Sequence, residues 1–352
     1  MGYAKSGFRL LSLFAFLSLS LFLEQMNSAI LGCSMVSPED HELTVIAVGD
    51  ILLSRHVGKT IDLSQDPNLP FENTRPWLSE ADIAFGNLES PIVSGDIPIR
   101  RGVVFKCLTR YVPGLVYAGF DVLSTANNHA FDQGDRGVDF TVNYLQSHSI
   151  LAVGTRKKED QASFGRVIER KGVKVGFLAY SYAAYNDGGA KENSQVATWH
   201  DPEKVKEEIG QLRDNSDVVF VSLHAGQEYR RKPERRKIEF ARAAIEAGAD
   251  AVIGHHPHWI QPVEIYRGRP IFYSLGNFVF DQGHSQETSQ GLMVEFRIKR
   301  KQIRSSRLLP VAIERYCCPR LADSQLKESI LEKTGLDSDE IFFSDERHEA
   351  GK

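Results

Sequence analysis

The chain has 352 residues, 42% of them apolar and 25% charged, with a formal net charge of −4. That is an ordinary globular composition, long enough for one large domain or two smaller ones. It excludes a global electrostatic case for nucleic-acid binding. Two local basic clusters, Arg230-Arg-Lys232 with Arg235-Arg-Lys237 and Lys299 to Arg307, read as solvated helix faces or hairpin tips. As functional patches they would call for an acidic polymer.

Lys5 and Arg9 precede an uncharged run from Leu10 to Leu23, too short to span a bilayer comfortably but suited to the apolar core of a signal peptide. Downstream, Ile30-Leu-Gly-Cys33 resembles a bacterial lipobox with Cys33 as the lipidated residue. Lipidation, ordinary cleavage and a retained signal anchor all fit, and each predicts export with the domain on the outer side of the cytoplasmic membrane or in the periplasm. The expected organisation is an export segment over 1–33, a linker over 34–42, one domain over 43–315 and a charged, mobile tail over 316–352. The other cysteines, Cys107 and the adjacent Cys317 and Cys318, form no CxxC pair, so a cysteine zinc site is not supported. They are read as inert or as supplying one bridge to Cys107.

After the linker, Leu43 to Val48 is an apolar run that predicts a buried strand ending in Gly49-Asp50. Pro76 to Asp82 predicts a short helix. Ile83 to Phe85 predicts a strand ending in Gly86-Asn-Leu-Glu89, and Val122 to Thr125 another, ending in Ala126-Asn-Asn-His129 and followed by Asp132. Val138, Val142 and Leu145 lie at helical spacing, and Val167 to Ala179 reads as a hairpin turning at Lys171-Gly172. Asp201 and Pro202 mark a helix start that carries Val205, Ile209 and Leu212 on one face. It leads to a strand over Asp217 to Leu223, ending in His224-Ala-Gly-Gln-Glu-Tyr229. A helix from Pro233 to Ala247 leads to the strand Ala251 to Gly254, which presents His255, His256 and His258. Pro270 to Ser274 is a further strand, with Gly276-Asn277 beyond it, and a hairpin over Leu292–Ile298 and Ser306–Ile313 closes the domain. A helix near Leu326 to Glu332 lies in the tail. Helices alternating with apolar strands predict an α/β fold.

Several of these strands end in groups able to bind a cation. Open α/β sheets bind ligands beyond the carboxyl ends of their strands, so residues distant in sequence can meet at one edge. Imidazole suits zinc, iron or manganese, and carboxylate suits harder ions such as magnesium. The mixed set fits a metallohydrolase that activates water and clamps an anionic oxygen. Singly, each residue has a structural alternative: Asp50 as a cap, Glu89 in an ion pair, Asn87 or Asn128 in a turn, His129 or His224 as a satisfied core histidine. The joint pattern favours a site, because five of the eleven histidines fall in three such loops. His56 and His284 lie outside the pattern and are read as structural.

Gly49-Asp50, Gly86-Asn-Leu-Glu89, Ala126-Asn-Asn-His-Ala-Phe-Asp132, the His224 to Tyr229 segment, Gly254-His-His-Pro-His258 and Tyr273-Ser-Leu-Gly-Asn-Phe-Val-Phe-Asp281 together resemble the CapA family of capsule and poly-γ-glutamate biosynthesis proteins. The resemblance runs from about Leu43 to Ile313. It implies a four-layered metallophosphatase-like sandwich, two β-sheets flanked by helices. It implies a divalent metal (Mn, Fe, Zn or Mg), one or two per chain, at Asp50, Glu89, Asn128, His224, His256 and His258. His129 would be the general acid, Asn128 would orient a reacting oxygen, and Asn87, Glu228, Tyr229, His255 and Asn277 would line the substrate cleft. Leu52 stands where the wider metallophosphatase pattern has His, Asn87 and Glu89 where it has a bridging Asp, and Ala225 where CapA proteins commonly have Trp. The implied partners are an anionic polymer such as poly-γ-glutamate or a phosphorylated substrate, other synthase or export subunits, and the membrane. Three roles follow: a phosphoesterase-like hydrolase, a non-catalytic accessory that positions the polymer, or a purely structural metal site.

Overall fold

A computed structural model describes residues 42–95, 104–160, 163–182 and 195–343. The export segment, Cys33 and nearly all of the linker lie outside the described residues. Among the described residues, no helix is long and apolar enough to cross a membrane.

The chain enters on β1 (Leu43–Ile51), followed by α1 (Arg55–Ser64), α2 (Arg75–Glu80) and β2 (Ile83–Leu88). Two short strands, β3 (Ile92–Val93) and β4 (Cys107–Leu108), precede α3 (Val112–Ala118), β5 (Val122–Ser124), α4 (Gly134–Ser147) and β6 (Leu151–Val153). Next come β7 (Arg166–Arg170), β8 (Val173–Tyr182), α5 (Pro202–Asp214), β9 (Val218–Ala225), α6 (Arg235–Glu246) and β10 (Ala251–His255). The last third contains β11 (Val263–Tyr266), β12 (Arg269–Phe272), β13 (Asn277–Val279), β14 (Gln290–Lys299), β15 (Gln302–Glu314), β16 (Cys318–Leu321), α7 (Ser324–Glu332) and β17 (Glu340–Phe342).

These strands build a nine-stranded sheet in the order β16-β15-β14-β1-β2-β5-β6, with β13 joining β1 and β17 joining β15. The second sheet has six strands, β11-β12-β10-β9-β8-β7. Period-two alternation in β1 explains the layering. Val45 and Ala47 face the second sheet and pack with Phe85, Phe177, Phe220 and Phe296. Ile46 and Val48 face the other way, against Val57, Leu78, Leu115 and Leu145 from α1 to α4. On the far face of the second sheet, Val219, Val221 and Val252 pack with Val205, Ile209, Phe240 and Ala244 of α5 and α6. The result is the expected four-layered sandwich. Its inter-sheet layer is stitched by a phenylalanine stack, with ring centroids 5.4 Å apart for Phe85–Phe177 and 5.3 Å for Phe177–Phe220.

Two expectations are corrected. Residues beyond 315 are not a mobile tail as far as Phe343, because β16 and β17 both hydrogen-bond to β15. The expected helix is α7, and it seats Ile330, fully buried, in the inter-sheet core. The many charges between the apolar positions mask that seam in the sequence. No bridge to Cys107 forms: Cys107, Cys317 and Cys318 are buried free thiols.

Candidate metal centre

The parallel strands β1, β2 and β5 of the first sheet and β9 and β10 of the second end on the same side, and their following loops meet there. Asp50, Asn87, Glu89, Asn128, His224, His256 and His258 are all buried in this meeting. Potential ligand atoms of Asp50, Glu89 and His224 lie within 4.8 Å of one another. His224 Nε2 lies 2.8 Å from Asn128 Oδ1 and 3.1 Å from His256 Nδ1. His258 reaches Asp50 Oδ2 through Nδ1 at 3.4 Å and Glu89 Oε1 through Nε2 at 3.7 Å. The donors come from positions as far apart as Asp50 and His256, whose backbone N–H donates to Asp50 Oδ2 at 3.2 Å.

The electrostatics are those of a cation site. Burial alone would raise the Asp50 carboxyl, but the neighbouring His255 and His258 imidazoles bring it well below the usual range. Glu89 is pushed well above its usual range by burial, against the opposing pull of His258. Burial holds His224 well below the usual imidazole value and His256 at about 3, each reinforced by neighbouring imidazoles. Both rings are therefore neutral, as metal ligands must be. His258 is raised to about 9, because Glu89 and Asp50 outweigh its own desolvation. Glu89 Oε2 is buried without a hydrogen-bond partner. An unpaired buried polar atom is costly, and this carboxylate oxygen, together with the facing imidazole nitrogens and Asp50, fits a divalent cation.

The surrounding shell is built to hold these groups. Asn87 Nδ2 donates to Asp50 Oδ1 at 2.8 Å and faces His224 Nδ1 at 3.2 Å. Asn127 Nδ2 in turn donates to Asn87 Oδ1 and, at 2.9 Å, to the Leu88 carbonyl. Asn277 Oδ1 meets His258 Nδ1 at 2.9 Å, while its Nδ2 donates to the Thr288 carbonyl. His129 Nδ1 lies 2.7 Å from Asp132 Oδ2, leaving Nε2 3.9 Å from Glu89 Oε1. His256, His258 and Tyr229 all have positive φ, at 92°, 57° and 58°. Such backbone costs energy in non-glycine residues and is tolerated where a site demands it.

Three of the expected cleft residues lie deep in the site. Asn87, His255 and Asn277 are fully buried. Asn87 and Asn277 orient Asp50, His224 and His258, and His255 points between the sheets, 3.3 Å from Asp50 and against Phe85. Glu228 and Tyr229 are half-buried at the rim. Leu52, at the position where His was expected, packs with Phe105 and Phe280. Lys237, read as part of a solvated basic face, is buried, and its Nζ donates to the carbonyls of Ala225 at 2.7 Å and His255 at 3.3 Å. Burial lowers it to about 7. Its position on the same face of α6 as Ala241 and Ala244 is the one sequence signal that could have marked it. Asp132 stood in the motif without a role; its spacing of three from His129 was the available clue. Arg55 and Asn127 were missed.

A sandwich of two sheets with a buried carboxylate–imidazole cluster at one edge defines a metallophosphatase-fold protein. Consistent with that class, a phosphatase from Mycoplasma pneumoniae has a similar fold, with a TM-score of 0.53 at 15% identity over 79% of this chain and 96% of that one. Residues 44–282 match the family model of the bacterial capsule synthesis protein PGA_cap. The chain belongs to that family. It is 31% identical to the PGA biosynthesis protein CapA of Bacillus subtilis over 85% of this chain and 79% of that protein. It is also 31% identical to the capsule biosynthesis protein CapA of Bacillus anthracis over 74% of this chain and 65% of that protein.

Proposed function

We propose that this protein is a metal-dependent, phosphoesterase-like hydrolase acting in capsule or poly-γ-glutamate synthesis or export, carried on the outer side of the cytoplasmic membrane by its N-terminal segment. One observation carries the catalytic reading: Glu89 Oε2, buried and unpaired, sits among neutral imidazoles and an ionised Asp50 at the mouth of both sheets. Asp50, Glu89, Asn128, His224, His256 and His258 would hold the cation. A divalent ion there supplies charge that activates water and neutralises a developing oxyanion. Asp132 fixes the His129 ring through Nδ1, so that Nε2 can carry a proton to a leaving oxygen. Phe105 stacks on the same ring at 3.8 Å, confining it and excluding water from one face.

Metal analysis of the purified chain, paired with a phosphoester panel, tests this reading. Stoichiometric Mn, Fe, Zn or Mg and hydrolysis lost in His256→Ala are expected; hydrolysis unchanged in that variant would refute it.

The second reading is a non-catalytic accessory that holds an anionic polymer for the synthase or export machinery. Arg230, Lys232, Arg235 and Arg236 motivate it, because they remain exposed just beyond the cleft rim. Charge reversal at these positions should abolish polymer binding if the patch serves that role. Unaltered binding and secretion would remove it. A purely structural metal site predicts that chelation unfolds the domain rather than leaving it folded and inactive.

A further inference from the structure

Arg55 opens α1 just beyond β1, the strand that carries Asp50, and its φ of 50° places it in the left-handed region. Its guanidinium lies over two rings, 4.8 Å from the centroid of Phe105 and 5.5 Å from that of Phe280. Phe105 stacks on His129, and Phe280 packs against His258 at 4.7 Å. Arg55 therefore bridges the two aromatic rings that flank the metal centre.

Asp281 holds this cation in place. Its carboxylate, only 2% exposed, accepts from Arg55 Nε at 3.2 Å, from Arg55 Nη2, and from the His56 backbone N–H at 2.9 Å. A guanidinium carries five N–H donors in a fixed plane. Asp281 engages the Nε edge, so Nη1 is left outside that pair, and the Arg55 side chain stays 35% exposed. A surface ion pair would need neither a backbone in the left-handed region nor two aromatic plates. A preorganised anion clamp benefits from both, since its entropy is lost before the ligand arrives.

We propose that Arg55 is the substrate-recognising residue at the mouth of this site, oriented by Asp281 between Phe105 and Phe280 so that its outer edge binds an oxyanion, phosphoryl or carboxylate, of the substrate. Identifying that oxyanion with a reacting group rests on the hydrolase reading; the clamp itself does not.

The test uses the full-length chain loaded with Mn2+ and calorimetric titration with two probes, inorganic phosphate and a γ-glutamyl oligopeptide. Arg55→Met should weaken one of them by about tenfold or more at unchanged metal content, the loss expected for a charge-assisted contact. Arg55→Lys should recover only part of the affinity, because an ammonium cannot reproduce the planar fork. Asp281→Asn should show a smaller loss in the same direction. The probe that responds identifies the oxyanion. Affinity for both probes within twofold of wild type in Arg55→Met would overturn the proposal, as would parallel loss of metal in Arg55→Met and Arg55→Lys, which marks a structural role. If wild type hydrolyses no phosphoester, the hydrolase reading fails, while the binding measurements still decide the role of Arg55.

Discussion

At the scale of single residues, the centre depends on side chains that never touch the cation. Asn277 is the clearest case, since its carbonyl oxygen fixes His258 and its amide is spent on Thr288. Asn277→Ala should lower Mn2+ affinity by roughly 10–100-fold, the usual cost of losing such support, with the direct ligands intact; competition with a chelating dye measures it. Proton balance supplies a second expectation. Without a bound cation, His258 keeps its proton up to about pH 9, because the Glu89 and Asp50 carboxylates face it. His258 must lose that proton to accept a cation, so binding should release a proton at pH 7 and tighten as pH rises toward about 9. Titration calorimetry in buffers of different ionisation enthalpy reads the number released; zero protons would contradict it. The buried residues that meet at the centre were legible because each stands in a strand-end motif. Their supports were not, because a buried asparagine and a cleft asparagine look alike until the depth of the pocket is known.

At the scale of elements, the strand ends are held by close backbone approaches and by one buried amine. A Cβ on Gly254 would lie 1.9 Å from the Tyr273 carbonyl oxygen, and one on Gly49 would lie 2.1 Å from that of Gly276. Gly254→Ala should therefore destabilise the protein by about 3 kcal/mol and displace His255 to His258, seen as a lower urea midpoint and weaker metal binding together. Lys237 joins β9 to β10 by donating to the last carbonyl of each strand. Its value falls from 10.5 to about 7 on folding, so between those limits the unfolded chain holds more protons and stability rises with pH. Lys237→Met should remove this component. The difference in stability between wild type and variant, followed from pH 7 to 10, isolates it from the opposite trend of His258, whose contribution is lost as pH rises from 6.5 to about 9. The strands that end at the site and the helices over Pro202–Asp214 and Arg235–Glu246 were legible from apolar runs and helix-start residues, whereas β3, β4, β6 and β11 were not. Helix α1 was not, because its polar face dominates and only Val57, Gly58 and Ile61 are buried.

At the scale of the whole molecule, the charged C-terminal segment is part of the core. Ile330→Ala should cost roughly 2–5 kcal/mol, measured by urea unfolding; a mobile tail would show less than about 0.5 kcal/mol. Non-local pairing explains why this was hidden. The strand β17 acquires its hydrophobic environment only from β15 and the inter-sheet core, and β16 from β15 and the helical face of the first sheet.

The wide sequence separation of the donors has a consequence for how the protein acquires its ion. Asp50 and His256 stand 206 positions apart, and one sheet brings Asp50, Glu89 and Asn128 while the other brings the imidazoles of His224, His256 and His258. A chain whose two sheets have not closed cannot present that full set, so a cation bound there would be captured only after closure. The compartment in which folding finishes therefore chooses the metal: a chain threaded unfolded through a membrane meets the ion pool of the far side, whatever the cytoplasm contains.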